Sequence, residues 1–271
     1  MSPEQALPER RSEIEGRIAD RIDAAAGESL AAELSAVPER GDRWYGQLLV
    51  VSYDAVASAP NASEQPDDAA LVAATAIELL REYWALRERL VVQLDEGALD
   101  RSEGQLTTGL LASDFLFASA YSTLGSLRGE RTAECVERFA SGAESIVAAF
   151  GEDPPRSTLP PESFCAFADA TTGALGRSAA VVGATLAGAD EPEIDRFATV
   201  GRGVAAVRRV PWLSGEDTDA CVEPSAPDNP RLQEFATRRL DEAERALDAL
   251  AEIATVDELA AFVDADRVVE R

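Results

Sequence analysis

Apolar residues recur along most of this chain at intervals of three and four positions, which is the period of an α-helix. The runs Leu71–Leu94 and Leu232–Ile253 carry the pattern most clearly. The alternation of apolar and polar residues that is typical of a strand is nowhere sustained. We therefore predict an all-α protein, a helical bundle with long helices and short loops.

Clusters of Pro and Gly divide this pattern into segments of about 15–30 residues, longer than the average helix of about 11–12. The clusters lie at Pro38–Gly41, Ala59–Pro66, Gly97–Gly104, Gly125–Gly129, Gly151–Pro161, Gly188–Pro192, Pro211–Gly215 and Pro224–Pro230. Long helices with short connections favour one bundle. We expect a single helical domain over residues 1–271, with residues 1–40 as its helical N-terminal segment.

Two segments have no charged residue and are rich in small side chains, Phe115–Leu127 and Ser178–Ala189. A helix that is apolar all round is buried on all sides. We therefore predict that both are central helices of the bundle. Their small residues allow close helix packing, the favoured interpretation, or leave room for a ligand.

The chain is strongly acidic, with 50 Asp and Glu against 25 basic residues and a net charge of −25. It has no His, and every basic residue is Arg. These counts exclude histidine-based catalysis, imidazole metal ligands and a lysine Schiff base. An isoelectric point near 4.3 also disfavours nucleic acid and anionic membranes as partners.

Hydrophobic residues still make up 46% of the chain, enough for a folded core. An acidic surface without Lys, combined with small apolar side chains, is typical of proteins that work in multimolar salt. There the Debye length falls to about 3 Å, and neighbouring carboxylates no longer repel strongly. We therefore predict a halophilic protein.

The three cysteines, Cys135, Cys165 and Cys221, are widely spaced and form no metal-binding motif. They are expected to be free, buried thiols in a reducing compartment. The charged N-terminus lacks the apolar core of a signal peptide. No apolar stretch is long enough to span a membrane. We expect a cytoplasmic protein.

Several short motifs follow one another in a fixed order. A helix begins A-x-E, a loop reads G-x-x-T, and L-A-x-D-x-L, T-G-A-L and G-A-x-L-A-G-A come later. They lie at Ala76–Leu80, Gly104–Thr107, Leu111–Leu116, Thr171–Leu175 and Gly183–Ala189. In this order, from about residue 40 to the end, the chain resembles the trans-isoprenyl diphosphate synthases, also called the polyprenyl synthetase family.

This resemblance implies the all-α isoprenoid synthase bundle and a two-fold dimer. Members of the family condense an allylic diphosphate with isopentenyl diphosphate. Two Asp-rich motifs face each other across a helical cavity and hold Mg²⁺ ions, which stabilise the diphosphate as a leaving group. Lys and Arg residues hold the second diphosphate.

Both Asp-rich motifs are degraded here. The first, H-D-D-x-x-D, falls on Val91–Glu96, and the second falls on Arg209–Glu216. Val and Gln replace two carboxylates of the first, and Trp and Leu replace two of the second. A Thr stands for the Lys of K-T-G-A-L, whereas the Asp of A-G-D-x-L-L is kept. These vestigial motif positions are Val92, Gln93, Asp114, Thr171, Trp212 and Leu213.

The acids that remain near the motifs are Asp95, Glu96 and Glu216. If the chain is active, they are the candidate metal ligands for Mg²⁺, and Arg43, which is kept from a G-K-R-x-R-P motif, is the candidate diphosphate ligand. In a chain this acidic, however, carboxylates at such positions are expected by chance. No cofactor is predicted otherwise, and no catalytic residue is assigned.

We expect a polyprenyl synthetase-like protein of isoprenoid biosynthesis that is non-catalytic or regulatory and pairs with an active prenyl diphosphate synthase. One alternative is a divergent prenyltransferase that uses the remaining acids. Another is a helical protein that binds an isoprenoid or lipid. The partner is then an active synthase in a heterodimer, or a second copy in a homodimer.

Overall fold

The computed structural model describes residues 3–24, 27–35, 37, 41–58, 67–98, 104–152, 156–210 and 221–267. The described parts are mostly helical, as the apolar period predicts. In chain order the helices are α1 (Pro3–Asp23), α2 (Glu28–Leu34), α3 (Trp44–Ala57), α4 (Asp67–Asp95), α5 (Gln105–Leu124), α6 (Thr132–Glu152), α7 (Pro161–Ala168), α8 (Ala174–Ala187), α9 (Glu191–Val207), α10 (Pro230–Ala251) and α11 (Asp257–Arg267).

The ends of the helices follow the sequence signals. Gly188, with φ at 101°, ends α8, and Asp190 begins α9 with a capping box in which the Glu193 N–H donates to Asp190 Oδ1 at 2.9 Å. Asn229 caps α10 in a similar way, since its side chain accepts from the Arg231 N–H at 3.0 Å. A short π-helix, Asp169–Gly173, joins α7 to α8.

Helix α8 lies at the centre of the bundle and contacts α3, α6 and α9. From Ser178 to Ala187 every residue is buried, so the prediction for this segment is confirmed. Glycines make these contacts close. A Cβ on Gly176 would overlap the backbone of Gly201 on α9, and a Cβ on Gly183 would overlap the backbone of Leu49 on α3.

Helix α5 differs from the expectation, since only one side of it is buried. It packs along α4, where Leu116 and Ala120 enter the core, but Ala118 and Ser122 are exposed. Leu111, on the same open side, is 57% exposed. The segment Phe115–Leu127 therefore leaves one side uncovered, and the prediction of all-round burial was wrong for it.

A second, smaller apolar cluster lies at the end of α9, and we call it the α9-end cluster. It joins α4, α7, α9 and α10 to a short parallel pair of strands, β1 (Thr158–Leu159) and β2 (Glu223–Pro224). Its buried members are Val92, Leu159, Phe164, Phe167, Ala206, Val207, Val210, Val222, Leu232, Phe235 and Ala236.

All three cysteines are thiols. Cys135 is fully buried as predicted, whereas Cys165 and Cys221 are half-buried. In the described ranges, no helix combines the length and apolar character needed to cross a bilayer.

Candidate functional site

The first degraded motif lies in the last turn of α4. Val92 is buried in the α9-end cluster, and Gln93 is half-buried. Asp95 and Glu96, the candidate metal ligands, are exposed at the helix end. The position nearest the core therefore carries a valine, and the two carboxylates lie on the solvent side of it.

The second degraded motif begins just after α9. Trp212, Leu213 and Glu216 lie outside the described residues. Arg209, the first motif position, is 7% exposed and close to α4. The structure thus brings the beginning of the second motif next to α4, as two motifs facing each other require.

A buried ion pair joins α4 to the end of α9. Arg209 Nη2 donates to Glu88 Oε1 at 2.5 Å, and the backbone N–H of Cys221 donates to the same oxygen at 3.0 Å. The guanidinium carbon of Arg209 lies 5.0 Å from the ring centroid of Trp84 and 5.3 Å from that of Phe167. Arg209 is therefore enclosed by one carboxylate and two aromatic rings.

Sequence reasoning missed Glu88. A signal for it exists, because Ile77, Leu80, Trp84 and Glu88 follow one another at helical spacing on the buried stripe of α4. An acid on such a stripe requires a buried positive partner. The partner itself, 121 positions away, could be found only from the fold.

The neighbouring residue, Arg208, forms a second link from the end of α9. Its Nη2 donates to Asp42 Oδ2 at 2.8 Å, and its guanidinium lies 4.6 Å from the ring centroid of Trp44. Trp44 is buried and stacks on Phe262 of α11. Arg208 therefore links the end of α9 to the start of α3, and Arg209 links it to α4.

Arg43 belongs to a buried cluster of charges that we call the Arg43 cluster, formed by Arg43, Glu78, Arg81 and Glu82. Arg43 donates to Glu82 Oε1 at 3.3 Å and to the carbonyl oxygen of Val37 at 2.7 Å. Arg81 donates to Glu82 Oε1 at 2.6 Å. Each of the four residues is at most 3% exposed, so their charges compensate one another inside the bundle.

Glu78 is the unusual member of this cluster. Burial raises its pKa from 4.5 to about 7, although Arg43, Arg81 and the Gly46 N–H, which donates to Glu78 Oε1 at 2.6 Å, all act in the opposite direction. Its loss of hydration is the largest of these effects. Glu78 therefore changes its protonation state near neutral pH.

The structure does not bring Arg43 to the candidate metal ligands. Its partner Glu82 precedes Asp95 by 13 positions on α4, a separation of about 20 Å along the helix axis. Arg43 is also 1% exposed and faces carboxylates already. It is therefore not positioned to bind a diphosphate together with Asp95 or Glu96.

The other vestigial positions serve the fold. Thr171 is buried in the π-helix and donates to the carbonyl oxygen of Phe167 at 2.6 Å. Asp114 is exposed on α5 and forms an ion pair with Arg87 of α4. Neither contact belongs to the place where Arg209 meets Glu88, which we call the α4–α9 junction.

The described residues at this junction do not fit Mg²⁺, which requires several oxygen ligands. Among the described residues, no three Cys, Asp or Glu side chains come together in a group able to hold a metal ion. The carboxylate that lies between the helix ends, Glu88, faces a guanidinium instead. Its neighbour on the motif side, Val92, has no ligand atom.

No protein-family model matches the chain, and no curated protein matches it. Solved structures do. A geranyltransferase from Helicobacter pylori 26695 has a TM-score of 0.69 at 16% identity, over 98% of this chain and 99% of that one. A geranylgeranyl pyrophosphate synthetase from the archaeon Geoglobus acetivorans has a TM-score of 0.67 at 16% identity, over 98% and 99%.

An FPP/GFPP synthase from Zymomonas mobilis is similar as well, with a TM-score of 0.66 at 17% identity over 99% of each chain. These likenesses extend over almost the full length of both partners, so they concern the whole arrangement of helices. The chain therefore has the fold of the trans-isoprenyl diphosphate synthases, which is the fold that its ordered sequence motifs predict.

Proposed function

We propose that this protein is a non-catalytic subunit that pairs with an active prenyl diphosphate synthase. One observation carries the proposal: the α4–α9 junction holds the buried Arg209–Glu88 pair and the buried Val92, and not a pair of facing carboxylates. The fold is kept over its whole length, whereas the residues that would bind metal and diphosphate are replaced.

The chemistry of prenyl transfer supports this conclusion. Departure of a diphosphate leaves several negative charges on oxygen, which metal ions normally stabilise. Val92 is buried and supplies no carboxylate that could hold a metal ion. Glu88 does carry a carboxylate, but Arg209 already neutralises its charge. Asp95 and Glu96 are exposed and lie about 20 Å along α4 from the level of Arg43 and Glu82.

The open face of α5 is the surface we propose for the partner. Its exposed residues, apart from Asp114, are uncharged and include Thr107, Leu111, Ala118 and Ser122. Val147 of the next helix, α6, is 48% exposed. On a protein with a net charge of −25, a face with a single charged residue is where another acidic protein can approach without strong repulsion.

The described surface hollows do not favour the alternative of an isoprenoid carrier. A hollow of about 460 Å³ beside α10 is lined by charged residues, among them Asp169, Arg231, Arg238 and Arg239. A neighbouring hollow of about 420 Å³ contains Arg177, Arg202 and Glu242. An apolar prenyl chain is better accommodated by a hydrophobic pocket.

An activity assay tests the absence of catalysis. The purified protein is incubated in molar KCl with Mg²⁺, isopentenyl diphosphate and an allylic diphosphate, and the expected result is no chain elongation. Turnover that disappears in Asp95→Ala or Glu216→Ala would identify a divergent prenyltransferase and refute the proposal.

Affinity capture from the native cell in molar salt tests the pairing. We expect recovery of an active prenyl diphosphate synthase in near-equal amount. Leu111→Glu places a charge on the open face of α5 without touching the core, and this variant should lose the partner. Glu162→Gln, an exposed change on α7, is the matched control and should keep it. A homodimer without any synthase would contradict the proposal.

A further inference from the structure

One carboxylate oxygen joins three parts of the chain at the end of the bundle. Glu88 Oε1, on α4, accepts from Arg209 just after α9 and from the backbone N–H of Cys221 just before β2. The side chains of Glu88 and Arg209 are each 2% exposed. Arg209 is the first position of the second motif and Cys221 follows the motif in sequence, so one oxygen atom holds the chain at both points.

The surroundings of Arg209 are built for a permanent cation. The faces of Trp84 and Phe167 lie on the guanidinium at 5.0 and 5.3 Å, where ring quadrupoles attract positive charge. The guanidinium stays protonated at all working pH values. The α9-end cluster includes residues next to this pair along the chain, Val210 beside Arg209 and Val92 one turn after Glu88, and their side chains offer no oxygen ligand.

We propose that the guanidinium of Arg209 links α4 to the end of α9 in place of a divalent metal ion. Its positive charge excludes such an ion from the α4–α9 junction. Glu88 is its counter-ion. A second cation brought within a few ångströms of Arg209 would be repelled strongly, because little water remains there to screen the charges. The inference concerns which cation occupies the α4–α9 junction, and it stands whether or not the proposed partner is found.

Thermal unfolding in molar KCl tests the bridge. The melting temperature of the wild type should be the same in millimolar MgCl₂ and in EDTA. Arg209→Met keeps contact with the two rings but leaves Glu88 as an uncompensated buried charge, so we expect a loss of about 10 °C in melting temperature.

A double variant separates charge pairing from packing. Arg209→Met combined with Glu88→Met removes both charges, and we expect it to regain most of the loss, since an apolar pair of similar volume is tolerated. Arg231→Met breaks an exposed pair with Glu162 and is the matched control, with an expected change of at most about 2 °C.

Two results would overturn the proposal. One is a Mg²⁺-dependent rise in the wild-type melting temperature that is lost in Glu88→Gln, because it would place a metal ion on Glu88 Oε2, an oxygen with no hydrogen bond. The other is a double variant that loses as much melting temperature as Arg209→Met alone, or more. If Arg209→Met does not fold, titration of the wild type with MnCl₂ decides, and measurable binding that depends on Glu88 contradicts the proposal.

Discussion

Glu78 illustrates how a single buried carboxyl group can make the fold sensitive to pH. It lies between Arg43 and Arg81 and near Asp42, and its pKa is raised to about 7 because burial costs it more hydration than the two arginines restore. In the unfolded chain the ordinary value is 4.5. Between pH 4.5 and about 7, the carboxyl group of Glu78 is therefore mostly protonated in the folded state and mostly ionised in the unfolded state.

A group with a raised pKa in the folded state contributes stability that is complete below pH 4.5 and is lost as the pH rises through about 7. The loss is on the order of 3 kcal/mol. Glu78→Gln resembles the protonated form and should remove this dependence. Thermal unfolding in molar KCl should give similar melting temperatures for variant and wild type near pH 5, and a more stable variant near pH 8.5.

Glu162→Gln is the control for this experiment, because it removes one negative charge at an exposed position. Its difference from the wild type should stay small at every pH. If the difference between Glu78→Gln and the wild type is the same at pH 5 and pH 8.5, then Glu78 does not titrate in this range and the prediction is wrong.

At the scale of elements, the position of α8 depends on glycines at its contacts. Gly176 and Gly201 allow α8 and α9 to approach until their backbones almost touch. On the other side of α9, a Cβ on Gly203 would lie 2.7 Å from the carbonyl oxygen of Arg239 on α10. Such distances leave no space for a side chain, so α9 is held tightly between α8 and α10.

Gly201→Ala should force α8 and α9 apart, because the new Cβ would overlap the Gly176 carbonyl oxygen and lie 2.7 Å from Ala180 Cβ. We expect a loss of about 2–3 kcal/mol in the free energy of unfolding, measured with urea in molar KCl. Gly16→Ala on α1 is the matched control. Nothing lies within 4 Å of its Cβ, and it should gain up to about 1 kcal/mol. Equal behaviour of the two variants would contradict the packing argument.

The sequence predicted the elements well, since the helical period and the Pro and Gly breaks are local signals. It also predicted the burial of α8, but it could not distinguish α8 from α5. The segments Phe115–Leu127 and Ser178–Ala189 both lack charges, and only their neighbours decide that Ala118 is exposed while Ala180 is buried. At the end of α4 the sequence predicts a valine where the related motif has a carboxylate, and Val92 is buried there. The pairing of Arg209 with Glu88 could not be predicted, because it joins distant parts of the chain.

The buried partners of Arg43 could not be predicted from the sequence either. It is the residue that survives from a phosphate-binding motif, so the sequence favours a ligand role for it. The structure instead places it at φ 58° before α3, with its guanidinium among buried carboxylates. Its partners Glu78 and Glu82 are ordinary acids in sequence, and nothing local marks them as buried.

At the scale of the molecule, the net charge of −25 acts on a bundle whose interior charges are already paired. The remaining carboxylates repel one another over about 30 Å in dilute buffer of about 0.01 M ionic strength, but over only about 3 Å in molar salt. Repulsion of this kind destabilises the compact state relative to the expanded chain. The stability of the fold is therefore expected to depend on the ionic strength.

We expect the melting temperature to rise steadily from dilute buffer to molar KCl, as followed by circular dichroism at constant pH. Sodium chloride should act in nearly the same way, because screening depends on ionic strength. A melting temperature that stays constant across the series would show that the acidic composition is not an adaptation to salt.

The two arginines at the end of α9 have a consequence for spectroscopy. Trp44 lies under Arg208 and Trp84 lies under Arg209, and both indoles are buried. The third tryptophan, Trp212, lies outside the described residues, and Trp212→Phe would remove its emission. The intrinsic fluorescence then comes from Trp44 and Trp84, which contact the two arginines at the end of α9. A change in this fluorescence therefore reports that the end of α9 has moved away from α3 or α4.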